Sequence, residues 1–202
     1  MKNKLLIPVS LVAATALILS AFAKPILLLW TSNQELTDAV APILSLLVIG
    51  TLLNGFMNVP YMLQLAHGWT GFAVRMNLVA IAIIVPAVLL IVPRYGAIGA
   101  AWVWIALNAG YVLIGVHFMY RRLLAEQKWR WYWQSVASPL VAGAVVAFGL
   151  AYVLPTFQIN LSTVIALVFV AISLSAVVIL TLPNIRQRIM HMIVAYFIKV
   201  KK

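Results

Sequence analysis

Six stretches of this sequence, each about twenty residues or longer, contain no Asp or Glu and almost no other charge. A helix needs about 20 mostly apolar residues to cross about 30 Å of hydrocarbon. The stretches run from Leu5 to Leu29, Ala39 to Ala66, Phe72 to Val92, Ile98 to Met119, Val136 to Leu154 and Leu161 to Leu182. None alternates apolar and polar residues with the period of two that a membrane barrel strand requires. Backbone groups in lipid have no water to bond, so such stretches pair their own N–H and C=O groups as helices. Hydrophobic residues make up 65% of the chain and charged residues 8%. Soluble domains average about 45–50% and about 25%, so a water-soluble globule is excluded, and disorder with it. The expected fold is all-α and polytopic, with six transmembrane helices over residues 1–183.

Punctuation and aromatic residues support these limits. Pro93, Gly96, Pro155 and Pro183 stand where helices are expected to stop. Lys24 and Pro25 are expected to break the first stretch near its end, and Pro42, Gly50, Gly55 and Pro60 to interrupt the second. Trp30, Trp69, Tyr95, Trp102 and Tyr152 collect at the borders, at the headgroup level that rings with one wet edge prefer. Trp129, Trp131, Tyr132 and Trp133, beside Lys128 and Arg130, read as a short interfacial stretch before the fifth span.

The net charge of +11 comes from 14 Lys and Arg against 3 Asp and Glu. Twelve of the cations fall on one side of the expected bilayer: Lys2, Lys4, Arg75, Arg121, Arg122, Lys128, Arg130, Arg186, Arg188, Lys199, Lys201 and Lys202. Lys24 and Arg94 alone fall on the other. Cations are retained on the cytoplasmic side, so both termini are expected there, and nucleic acid is not the expected partner. The start of the chain has a second reading. Lys2 and Lys4, an apolar run and Ala21-Phe22-Ala23 resemble a signal peptide, although a run of 19 residues exceeds the usual 7–15. The tail, 184–202, is too short and basic for a seventh span. Ile185, Ile189, Met192, Tyr196 and Val200 recur at spacings of three and four. The tail is therefore expected to form an amphipathic helix in the interface, or else a basic tail that only enforces topology.

Buried polar groups are costly in a membrane, so function is sought among them first. Asn54, Asn58 and Tyr61 share a stripe of the second span, with Gln64 about 60° further round and His67 at its end. The stripe either lines a water-filled cavity or glues helices together by hydrogen bonds. Arg75 and Asn77 begin the third span. Arg75 is either a fork for a phosphate group or a snorkelling topology marker. Asn108, Tyr111 and Gly115 share a face of the fourth span, with His117 opposite. Glu35, Asp38 and Glu126 all lie between spans, so no embedded carboxylate is available to carry protons or sodium. With no cysteine, no metal-ligand cluster, no phosphate loop and no nucleophile–base pair, neither an enzyme nor a bound metal or cofactor is expected.

Two stretches carry a resemblance: 46–70, LLVIGTLLNGFMNVPYMLQLAHGWT, and 93–104, PRYGAIGAAWVW. They resemble the C-terminal part of the polysaccharide-biosynthesis flippases, within the superfamily of multidrug, oligosaccharidyl-lipid and polysaccharide exporters. The similarity extends from about Ile26 to Tyr152. In the second element Pro93 ends a helix, Gly96 permits a tight turn, and Gly99, Ala100 and Ala101 allow close packing. The resemblance implies a multi-pass protein of the bacterial cytoplasmic membrane. It also implies flipping of an undecaprenyl-diphosphate oligosaccharide for polysaccharide, including O-antigen, synthesis. Asn54, Asn58, Tyr61, Gln64, Arg75 and Asn77 would then face the lipid-linked oligosaccharide. Family members carry about twelve to fourteen helices in two lobes, and this chain resembles only the last six. The N-terminal lobe is therefore expected to be missing from a fragment, or supplied by a second chain. The alternatives are a non-transporting scaffold or assembly subunit, and a small-cation efflux transporter, which the lack of embedded acids disfavours.

Overall fold

The computed structural model describes residues 6–123, 129, 132–153, 165–166, 168–173 and 176. Every described residue is helical except for short breaks at 22, 32–33 and 67–69, and none is in a strand. Two helical stretches, Gln34–Ala66 and Thr70–Arg122, are long and apolar enough to cross a membrane, and the second is folded back on itself at Gly96.

α1 (Leu6–Ala21) and α2 (Ala23–Thr31) together form the first expected span, broken at Phe22. Pro25 explains the break. It has no N–H to offer the carbonyl of Ala21 one turn back, and its ring crowds that carbonyl. Near this broken turn the Ser45 hydroxyl donates to the carbonyl of Ser20 at 2.8 Å, tying it to the next helix.

α3 (Gln34–Ala66) begins five residues before the expected Ala39. Asn33 is its N-cap, accepting at Oδ1 from the Leu36 N–H at 3.0 Å, with Glu35 in the first turn favoured by the helix dipole. The expected interruptions do not occur, and α3 runs unbroken through Pro42 and Pro60. A proline inside a long apolar helix removes one bond, and packed neighbours keep the helix going.

α4 (Thr70–Gly110) contains the turn that the sequence pointed to, three residues later than Pro93. Gly96 has φ 59° and ψ −145°, a conformation open to glycine and strained for other residues. The chain reverses there. A Cβ placed on Gly99 would lie 2.8 Å from Ile91 Cγ2 and 3.2 Å from the Ile91 carbonyl oxygen. Further along, Tyr111 Oη donates to Asn77 Oδ1 at 2.8 Å. Residues 70–95 and 97–110 are thus two antiparallel arms of one hairpin.

The second arm continues as a π-helical turn (Tyr111–Gly115) and α5 (Val116–Leu123). The Tyr132 hydroxyl donates to the carbonyl of Val112, inside that π-turn, at 2.8 Å. A π-turn shifts the backbone ladder by one residue, which leaves such a carbonyl available. A second π-turn (Tyr132–Ala137) leads into α6 (Ser138–Val153), within the expected fifth span.

The core lies between α1, α3, the second arm and α6. Ala13 and Ala16 of α1 meet Leu52 and Phe56 of α3 and Val112 of the π-turn. Leu17 and Phe22 meet Ala147 and, from the expected sixth span, Val170. Of that span, 165–166, 168–173 and 176 are helical; its other residues, the tail 184–202, Lys128, Arg130 and Trp131 lie outside the described residues.

Candidate functional site

Among the described residues, α3 is the element that carries a row of amides, so the site is built from it. Its two sides differ. Leu52, Phe56, Pro60 and Gln64 are buried, whereas Leu47, Thr51, Asn54, Asn58, Tyr61 and Leu65 are exposed. These six recur at intervals of four, three, four, three and four, which is one outward stripe of a helix, with Ile49 and Met62 exposed beside it. Asn54, Asn58 and Tyr61 therefore share a face, as their spacing predicts. Gln64 does not join them, because it is only 2% exposed and points inward. Thr51 belongs to the stripe and escaped the sequence reading, although its spacing of three from Asn54 was visible. Its hydroxyl is returned to the Leu47 carbonyl at 2.9 Å.

Asn54 sits at the edge of the stripe and reaches across to the second arm. Its Nδ2 donates to Asn108 Oδ1 at 2.8 Å, and Asn108 Nδ2 donates to the Trp104 carbonyl at 2.8 Å. Asn108 is fully buried. One turn before Asn54, Gly50 lies against the Trp104 indole, where a Cβ would stand 2.8 Å from Nε1 and 3.1 Å from Cγ. Gly50 with Asn54 and Trp104 with Asn108 thus form two matched steps of one helix contact. Asn58 makes only a local bond, from Nδ2 to the Gly55 carbonyl at 3.2 Å, and Tyr61 is 43% exposed. Asn58 and Tyr61 are the members of the stripe left to outside partners.

Of the candidate residues on the first arm, Asn77 is held by Tyr111, so it joins the two arms. Arg75 is exposed. It follows the turn at 67–69 by six residues, about 9 Å of helix, and Tyr61 precedes that turn by the same distance. Arg75 and Tyr61 therefore stand at a similar depth on neighbouring antiparallel helices. His67 closes α3, with Nδ1 2.9 Å from the Leu63 carbonyl oxygen. His117 makes an edge contact with Phe118, ring centroids 5.6 Å apart. Asn108, Tyr111 and Gly115 do share a function, and it is packing, since Gly115 admits the methyls of Met57 and Met76.

The two ends of the bundle carry different chemistry. At one end Arg122 lies over the Trp69 ring, 4.5 Å from its centroid, and Trp69 stacks on Phe72 with centroids 4.5 Å apart. Trp129 and Trp133 are exposed. At the other end Lys24 Nζ pairs with Asp38 at 2.6 Å, and Gln34 donates to the same carboxylate at 2.9 Å. These two neighbours, Lys24 first, hold the Asp38 carboxyl below its ordinary value in the polar turn that precedes the apolar run.

The chain matches no protein-family model, and no curated protein or solved structure is significantly similar to it.

Proposed function

We propose that this chain is one half of a two-lobed membrane transporter that flips a lipid-linked oligosaccharide. The described helices and the expected sixth then make six spans, with both termini on the cytoplasmic side of a bacterial inner membrane. The supporting geometry begins with the hairpin. From Trp69 to Tyr95 is 26 residues, about 39 Å of helix, and a bilayer with its headgroups is about 40–45 Å thick. Trp30, Tyr95 and Tyr152, 82%, 69% and 92% exposed, end helices on the Gly96 side. Trp69, Trp129 and Trp133 mark the opposite side, so two aromatic belts bracket the apolar bundle.

The observation that carries the transport reading is the outward stripe of α3. Asn58 and Tyr61 lie in an apolar helix at membrane depth, Asn58 exposed and Tyr61 43% exposed. Asn58 returns one donor to the Gly55 carbonyl, and its remaining donor and acceptor would be costly to leave facing hydrocarbon. Such residues face a bundle interior or a water-filled cavity instead. A second lobe opposite this stripe would enclose that cavity. Its amides would meet sugar hydroxyls, and Arg75, at the same depth as Tyr61, would meet the diphosphate while the lipid tail stays in the bilayer. Rocking of the two lobes would then expose the cavity to each side in turn.

The second reading, a scaffold or assembly subunit, is favoured by the Asn54–Asn108 and Asn77–Tyr111 bonds, which use two of the six candidate residues as glue. The chain has no cysteine, so single cysteines report water access cleanly. In membranes holding the assembled transporter, Asn58→Cys and Tyr61→Cys should react with an impermeant maleimide, whereas Leu89→Cys, on a lipid-facing arm, should not. In complementation of polysaccharide export by a transporter carrying this segment, Arg75→Ala should export less than Arg75→Lys at equal protein level. Normal export by both Arg75→Ala and Asn58→Ala would leave the stripe as packing and the scaffold reading standing.

A further inference from the structure

The hairpin holds a groove that the α3 stripe does not use. It is about 430 Å³ and runs between the two arms from Met76 to Ile91. Small residues make it, Ala80 and Ala87 on the first arm and Ala106 and Gly110 on the second, with Ile83 and Trp102 on its walls. Its lining is almost wholly apolar. We infer that it seats one acyl chain of a net-anionic phospholipid, whose phosphate is held by Arg94 at the Gly96 end. The inference needs the hairpin to span a bilayer and is independent of whether the chain flips anything.

Magnitudes select the occupant. Met76 to Ile91 is 15 residues, about 22 Å of helix. Even the whole empty space, about 1000 Å³, spread over that length is a mean cross-section of only about 45 Å². A helix with its side chains is about 10–12 Å across, or about 80–110 Å², so a helix from another lobe cannot enter. A single file of carbons, packing at about 4 Å, can. The length exceeds half of the about 30 Å hydrocarbon core, so a chain from one leaflet fits lengthwise.

Charge selects the headgroup. Arg94 follows Ala87 by seven residues and Ile91 by three, so it lies on the groove face at its end. It is exposed. The described carboxylates are Glu35 and Asp38, and neither pairs with it, since the ion pair among the described residues is Lys24–Asp38. Tyr95 and Trp102, 69% and 56% exposed, bring a hydroxyl and an indole N–H to the same end. An unpaired guanidinium with neutral donors suits a phosphate. With no acid beside it to receive an ammonium, it favours a net-anionic head over a zwitterionic one.

The test is lipid retention by the full chain, reconstituted with equal phosphatidylglycerol and phosphatidylcholine, re-extracted, and weighed with bound lipid by native mass spectrometry. Wild type should retain phosphatidylglycerol over phosphatidylcholine by about fivefold, the ratio for one cation near an anionic headgroup. R94Q should bring that ratio to near one, R94K should keep most of it, and A87L, which fills the groove and spares the charge, should lose the retained lipid. Circular dichroism identifies any variant that has merely unfolded. The inference is overturned by equal retention of the two lipids in wild type, by no retained lipid, by an R94Q ratio equal to wild type, or by an R94K ratio equal to that of R94Q.

Discussion

Gly50→Ala tests the contact between α3 and the second arm most directly. The added Cβ would stand 2.8 Å from Trp104 Nε1 and closer still to Cδ1, where carbon atoms rest at about 3.5–4.0 Å. The indole therefore has to move by about 1 Å. It cannot do so by swinging its far edge, because Cγ, at the root of the ring, is itself 3.1 Å away. Nor can the backbone retreat freely, because Asn108 Nδ2 bonds the Trp104 carbonyl and Asn54 bonds Asn108 one turn along. Overpacking of this kind costs about 1–3 kcal/mol.

The assay is a double-mutant cycle on reversible unfolding in mixed micelles. Trp104→Ala alone destabilises by loss of a large ring. In that background Gly50→Ala should cost close to nothing, since its Cβ then meets open space. The coupling between the two changes should be about 1–3 kcal/mol and favourable. If the two changes add to within about 0.5 kcal/mol, the Gly50–Trp104 contact does not hold these helices together.

Gly99→Leu should be worse than Gly50→Ala, because its Cβ would meet Ile91 Cγ2, Tyr95 Cβ at 2.9 Å and a backbone carbonyl, which cannot rotate away. Loss of membrane accumulation and faster proteolysis would register the opened hairpin, and normal accumulation would refute it. The Asp38 carboxyl is lowered mainly by Lys24, so it stabilises the fold fully above the ordinary value of 3.8 and loses that effect as pH falls through the lowered value. Asp38→Asn should abolish this acid-side loss, and because the pair is exposed the effect should also fade in high salt. Reporter fusions at Gln127 and Lys202 should read cytoplasmic and a fusion at Gln158 external; a cytoplasmic reading at Gln158 would break the six-span arrangement.

Local signals in the sequence were readable where chemistry leaves the backbone little choice. Pro25 lacks a donor, and the helix breaks one turn before it. Gly96 can take a positive φ, and the chain turns there. Proline was over-read elsewhere: Pro42 and Pro60 lie inside a helix that runs through both, and Pro93 sits three residues before the actual turn. The start of α3 was under-read, because a hydropathy window weighs Thr37 and Asp38 against the span and does not see the Asn33 cap. For the site, spacing gave the correct stripe for Asn54, Asn58 and Tyr61, and it could not give the neighbours. Periodicity fixes which residues share a face of one helix. Whether that face meets another helix depends on crossing geometry between segments some fifty residues apart, such as Asn54 and Asn108.

Asn54 shows that packing and cavity are not opposed readings of the stripe. An amide has two donors and an acceptor, and Asn54 spends one donor on Asn108 while its residue stays exposed. That bond fixes the rotation of α3 about its own axis against the second arm. With the rotation fixed, Asn58 and Tyr61, four and seven residues on, are turned outward and cannot be satisfied by the arm that holds Asn54. The same helix contact that makes Asn54 structural is therefore what presents Asn58 and Tyr61. Replacing Asn54 by Leu should loosen the contact and also lower maleimide labelling at Asn58→Cys, because the helix could then turn its amide face toward the bundle. Labelling that stays at the level of the parent protein would mean that Gly50 and Trp104 alone set the rotation.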